Sequence, residues 1–293
     1  MVERIEFESS NPFEIHHILK HLHKTPKQTV FADLHLPEGD GPFGCVVSSH
    51  GSRGWSDHHA IHVANWLDAG FAVCQIHSFA SREVDSVVDN QMFVTHAMML
   101  ADAFAAQSML ANDPRIAKIG VTGWSLGGTV ALYAAWKPII KAFGAEPFAA
   151  HLPFYPAAHM RPVVQDWSTA PMLILHGDAD DWTPLHFVQG LHPQIPHMEL
   201  KVYEGCMHSF DSLEEKKWLD DAICIKTRTV KISAKGHMSG IWKFGIRFPL
   251  NEPRHRAFAF KILKNVGAHI CGDAEARADA MERATAFWVS HLA

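Results

Sequence analysis

The chain has 293 residues, 47% hydrophobic and 19% charged, with a formal net charge of -5, which suffices to bury a large core in one domain spanning 1–293. Its sequence pI near 6.5 excludes the strongly basic balance of a nucleic-acid binder, and no run reaches about 18 uninterrupted apolar residues, so neither nucleic acid nor a membrane is expected as partner. The charged start Met1-Val2-Glu3-Arg4 lacks a signal-peptide core, and five scattered cysteines without a C-x-x-C pair suit free thiols, which together predict a cytoplasmic protein.

After a His-rich lead-in, strand-like apolar runs at 29–36, 45–49, 72–76, 119–122, 149–154, 172–176 and 199–203 alternate with helical patterns. That rhythm predicts an α/β fold with a mainly parallel sheet and helices on both faces. Between the second and third runs, Ala60, Val63, Ala64 and Leu67 recur at helical spacing and Gly70 supplies a stop. A longer helix is expected over 90–111. The final helix should lay Ala274, Ala278, Met281, Thr285, Trp288 and Leu292 on the sheet. No internal repeat, low-complexity tract or linker marks a second domain.

One segment breaks the rhythm. Between 222 and 264 stand ten Lys or Arg and a single acid, Glu252. Trp242, Phe244, Ile246 and Phe248 alternate with polar or glycine residues, and Ser239-Gly240 can turn the chain back towards Val230 and Ile232, which predicts an inserted hairpin. It can cover a sheet edge, act as a lid or homo-oligomer contact, or bind anions.

The chemistry concentrates at 119–128. Gly123, Ser125 and Gly127 form G-x-S-x-G between an apolar strand and an alanine-rich helix, the setting of a nucleophile elbow that lifts a serine hydroxyl above the sheet edge. A serine hydroxyl attacks only when a base takes its proton, and the histidine that does so needs an acid to fix its tautomer. In this fold the order is Ser, Asp, His. Asp178, Asp180 and Asp181 follow the 172–176 strand, and His208 follows the last strand. Chain order alone leaves the three aspartates open. The Leu126 amide, at the helix start behind Ser125, is placed to receive a developing oxyanion.

These three stretches, in this order and with a fourth at 50–54 ahead of them, resemble the α/β-hydrolase superfamily and more narrowly the dienelactone hydrolase-like family, over about 28–210 plus the last helix. The resemblance implies Asp180 as the acid, because His176, Gly177, Asp180 and Pro184 match H-G-x-x-D-x-x-x-P, and supports His208 through Gly205, His208 and Phe210. It further implies that His50-Gly51-Ser52-Arg53-Gly54 is an oxyanion loop whose Ser52 donates a backbone N–H. Arg53, Trp55 and Trp124 are candidates for the substrate mouth. Arg82, in a stretch similar to D-S-F-x-x-R with His77 in place of the aspartate, is either a carboxylate-binding residue or a surface arginine. Dienelactone hydrolases proper use cysteine, whereas Ser125 stands here, which favours a general serine carboxylesterase acting on small-molecule esters through an acyl-enzyme, without cofactor.

The rivals are acyl transfer or cleavage of thioester, amide or carbon–carbon bonds by the same triad. A non-catalytic binding protein on this fold would have lost a triad member. The 22 histidines include His16, His17, His21 and His23, and His58, His59 and His62. With no H-E-x-x-H and no Cys/His zinc spacing, they are expected on the surface or on helix faces, and no metal is expected.

Overall fold

The computed structural model describes every residue except 196, 242–246 and 264. Among the described residues, nine strands precede His208: β1 (Val2–Ser10), β2 (Lys27–His35), β3 (Phe43–Ser49), β4 (Ala72–Ile76), β5 (Ile116–Trp124), β6 (His151–Phe154), β7 (Met160–Pro162), β8 (Met172–Gly177) and β9 (Met198–Tyr203). All but β7 join one eight-stranded sheet in the order β1-β2-β4-β3-β5-β6-β8-β9. Strand β2 runs antiparallel to both its neighbours, β1 and β4, and the remaining neighbours are parallel. The lead-in thus holds a strand, β1, whose short alternation of Ile5 and Phe7 with glutamates is easily taken for a charged tail.

Parallel strands must be covered on both faces, and they are. Cys45 and Val47 point into one core while Val46 between them points into the other, as the two-residue strand period requires. The first core is closed by α1 (Ile15–His21), α3 (His96–Leu110), α4 (Leu126–Tyr133), α5 (Lys137–Phe143) and α6 (Leu185–Leu191); the second by α2 (Asp57–Asp68) and the last helix, α8 (Ala274–Leu292). The α3 helix starts later than expected because Thr95 caps it, its hydroxyl accepting from the Met98 amide at 3.3 Å. On α8 the buried seam is Ala276, Ala280, Ala284, Trp288 and Leu292. This corrects the expected stripe: Ala274 and Ala278 are exposed and only Trp288 and Leu292 were placed correctly. The small alanines let α8 approach closely, and Trp288 lies over Gly120, where a Cβ would come within 2.7 Å of its ring.

The basic segment begins at the end of β10 (Lys217–Cys224), forms β11 (Val230–Ile232), β12 (Met238–Ile241), β13 (Arg247–Pro249) and α7 (Pro253–Leu263), and is followed by β14 (Asn265–Ile270). Strand β10 pairs with β14, while β13-β12-β11 continue onto β7 of the body, β11 lying parallel to it. A hairpin is therefore present, but Ser239-Gly240 is not its turn. Gly240 pairs with Val230 inside the ladder, and the chain reverses at 233–237, where the Ser233 amide donates to the His237 carbonyl at 2.9 Å. The expected strand residues Trp242, Phe244 and Ile246 lie outside the described residues. Among the described residues no helix is long and apolar enough to cross a membrane.

Candidate active site

Strand β5 and helix α4 meet at Ser125, which adopts φ 54° and ψ -109°, a region disfavoured for any residue with a side chain. The turn holds because nothing larger than hydrogen fits beside it: a Cβ at Gly123 would strike the Gly127 backbone, and one at Gly127 the Ser49 carbonyl. The Ser125 amide donates to the Phe154 carbonyl at 3.0 Å and its carbonyl accepts from the Thr129 amide at 2.8 Å. The hydroxyl is thereby aimed at His208, its Oγ 2.9 Å from Nε2.

On the other side of the ring, His208 Nδ1 is 2.7 Å from Asp180 Oδ2. The carboxyl is fully desolvated, which by itself would raise its pKa, but the facing His208, then His176 and the Thr183 amide, pull it down to about 2. An ionised Asp180 can only accept. Nδ1 therefore carries the ring proton and Nε2 is left as the acceptor for the Ser125 hydroxyl. Asp180 is held in place by the Trp182 and Thr183 amides at 2.9 and 2.8 Å and by the Thr183 hydroxyl at 2.8 Å. The neighbouring acids are engaged elsewhere. Asp178 accepts from the Gly205 amide at 2.7 Å, and Asp181 accepts from the backbone of His269 at 2.8 Å.

Two cavities flank Ser125. The larger, of about 110 Å³, begins at Ser52, Ser125 and Leu126 and is walled by Met160, Phe187 and residues of the basic segment, including Ile223, Val230 and Met238. The smaller, of about 30 Å³, lies on the His208 side with Gly51, Arg53, His58 and Tyr155. The Ser52 loop is fixed from behind, its carbonyl accepting from the Val87 amide at 2.9 Å. Cys224 also lines the larger cavity, but burial raises its thiol pKa, which disfavours the nucleophilic thiolate.

Beneath the serine lies a group that sequence reasoning missed. Asp211, fully buried, accepts from Trp124 Nε1 at 2.9 Å, Tyr155 Oη at 2.7 Å and His62 Nε2 at 3.0 Å. Burial would raise its pKa, yet His58 and His62 opposite, with these donors, hold the carboxyl well below the usual range. Trp124 precedes Ser125, and the Tyr155 ring abuts His208 with centroids 4.8 Å apart. One carboxylate thus ties the elbow, the end of β6 and the base loop. The only signal was His208-Ser209-Phe210-Asp211 itself, an acid with no visible partner.

Several expected roles change. Arg82 is neither a surface residue nor a carboxylate receptor: its buried guanidinium grips Asp102 at 2.8 and 2.9 Å and also reaches Asn11 and the Ser78 carbonyl. Trp55 lines neither cavity; its indole N–H donates to the Ile76 carbonyl at 3.1 Å and its ring packs on His50, His59 and Trp124. Arg53 does reach the smaller cavity, paired with Glu214 at 2.6 and 3.1 Å. His16 on α1 and His58, His59 and His62 on α2 do lie on helix faces, and those faces are buried.

A nucleophile elbow on a mainly parallel sheet, with an acid after β8 and a histidine after β9, defines an α/β-hydrolase. The dienelactone hydrolase family model matches residues 37–231, and the chain belongs to that family. Membership makes it a hydrolase. Among solved structures, a protein described as a dienelactone hydrolase from Klebsiella pneumoniae superposes with TM-score 0.56 at 16% identity, over 99% of this chain and 100% of the other. A dienelactone hydrolase-like promiscuous phosphotriesterase from metagenomic libraries superposes with TM-score 0.59 at 14% identity, over 100% and 99%. Est1E from Butyrivibrio proteoclasticus with ferulic acid bound gives 0.50 at 16%, over 62% and 88%. At these identities the likeness is one of fold. No curated protein sequence matches significantly.

Proposed function

We propose that the chain is a serine carboxylesterase built as one domain, with the basic segment as an accessory cover. Ser125 Oγ attacks the ester carbonyl while His208 Nε2 takes its proton and returns it to the departing alcohol; Asp180 holds the ring and stabilises its charged form. The Leu126 and Ser52 amides receive the tetrahedral oxyanion, one such donor being worth about 2.7–4 kcal/mol. Water, activated by His208, then releases the acid. The scheme uses no cofactor, and five unpaired cysteines suit a reducing, cytoplasmic setting.

The observation that carries this reading is the continuous line Ser125–His208–Asp180, with contacts of 2.9 and 2.7 Å. The larger cavity, about 110 Å³, suits the acyl group. A cavity of about 150 Å³ accommodates benzene, so acyl groups of a few carbons fit without movement of the cover. The alcohol leaves towards the polar side, where Arg53 and His58 stand. A p-nitrophenyl ester series from acetate to long chains tests this, with mass spectrometry after an organophosphate. Turnover of short esters and an adduct on Ser125 are expected; an adduct on a cysteine, or no ester turnover, refutes it.

A further inference from the structure

Away from Ser125, a cluster of ligand-type side chains joins α1 to the basic segment. His16 Nε2 lies 3.6 Å and His17 Nε2 4.0 Å from Glu252 Oε1. Both gaps are too long for hydrogen bonds, whereas two donors each about 2.1 Å from a shared ion sit roughly 3–4 Å apart. One ligand atom from each of the three residues lies within 4.8 Å of the others. The ring of His237, in the turn between β11 and β12, is centred 5.4 Å from that of His16, and the ring of His21 6.3 Å. The turn presses close: a Cβ on Gly236 would sit 2.8 Å from His16 Cα.

A second observation is independent of this spacing. His16 is buried, and its Nδ1 has no hydrogen-bond partner. We propose that His16, His17 and Glu252 hold a divalent transition metal ion of the zinc class, with water in the open position and His21 and His237 at the border. Imidazole and carboxylate without thiolate suit zinc, cobalt or nickel rather than calcium or magnesium. One local contact must give way. His17 Nδ1 now accepts from the Glu14 amide at 3.2 Å, so its ring proton resides on Nε2; coordination moves that proton to Nδ1 and breaks this helix-capping contact.

The ion would act as a clip. Glu14, Met238, Leu250 and Arg256 line the larger cavity, and the ligands and His237 are their near neighbours in the chain. Occupancy would therefore pin the cover to α1 and narrow the range of acyl groups admitted. That consequence rests on the esterase reading; the binding itself does not.

The test uses untagged, metal-stripped full-length protein, with zinc titrated by calorimetry, cobalt followed by its visible absorption, and thermal unfolding measured with and without zinc. One equivalent per chain is expected, with a melting temperature raised by zinc. Glu252→Gln and His17→Gln should each weaken binding at least about tenfold, as losses at metal sites typically do, while His291→Gln, on α8 against the other core, should leave it unchanged. If His16→Gln does not fold, the Glu252 and His17 variants decide. Zinc binding equally well to both of these, or no binding at millimolar zinc, overturns the proposal. In the wild type, zinc should slow long-chain relative to acetate ester turnover; binding without any ester turnover would leave the clip standing and refute the esterase.

Discussion

The reactivity proposed for Ser125 rests on its surroundings rather than on serine itself. The glycine-lined turn imposes φ 54°, and the ionised Asp180 dictates which nitrogen of His208 is free to accept. Ser125→Ala should therefore lower kcat on esters by about 10³-fold or more while the fold persists, because the hydroxyl makes a covalent bond and little packing. Circular dichroism and steady-state kinetics check it; wild-type turnover would refute the nucleophile. Asp180→Asn should cost far more than Asp178→Asn or Asp181→Asn, since only Asp180 touches His208 and only the acid bonded to the base sets its tautomer, an effect of about 10⁴ in a serine protease. Thr183→Val, which removes the hydroxyl from Asp180 Oδ2, should lower kcat by roughly tenfold with little change in KM, a hydrogen bond to a charged group being worth about 1.5–3 kcal/mol. Equal KM and kcat losses there would assign Thr183 to substrate binding instead. At this scale Ser125 was legible because G-x-S-x-G constrains backbone geometry locally, and Asp180 only through the family resemblance of the 176–184 stretch. Arg82 was not: its partner Asp102 sits on α3, and no local pattern reveals that pairing.

Among the elements, the basic segment is the one proposed to set how open the site is. Its hairpin docks on β7, and its residues wall the larger cavity opposite Ser125. Replacing 230–248 by a short Gly/Ser linker should extend turnover towards longer acyl chains and change acetate turnover only modestly, as read from kcat/KM across the ester series. Equal loss on acetate and long-chain esters in a folded protein would mean that the segment helps build the catalytic centre. The apolar alternation announced strands here but misplaced the turn. Gly240 is needed inside the ladder, where a Cβ would meet the Phe248 ring at 2.8 Å, and not at the reversal, which uses Gly236 at φ +82°. The α8 seam was misread for a related reason: exposed and buried alanines look alike in sequence, and only the path of α8 over Gly120 and Gly44 selects the 276–280–284–288–292 face.

For the molecule as a whole, burial of so many histidines ties stability to pH. His50, His96 and His151 are held near about 4 and His159 near about 3, in each case first by desolvation. Between roughly pH 6.5 and 4 the unfolded chain binds these protons and the native protein does not, so native stability falls as pH drops through that window. Asp180, lowered from 3.8 to about 2, acts in the next one: its contribution is intact above about pH 4 and is lost as pH falls through about 2. Chemical denaturation from pH 8 to 4 should show a steady loss of stability beginning near pH 6.5, since each histidine that stays neutral in the native protein costs about 1.4 kcal/mol for every pH unit below its unfolded pKa. A flat profile down to pH 5 would show that these rings are solvated. What the sequence by itself determined was the α/β alternation, the elbow and the order Ser, Asp, His, since strand period, glycine sterics and chain order are local or sequential properties. Only the tertiary structure decided that Asp211 braces the elbow, that the basic segment walls the larger cavity, and that His16 and His17 face Glu252. Each of these joins residues far apart in the chain, where contact depends on how the layers pack and not on any pattern within one segment.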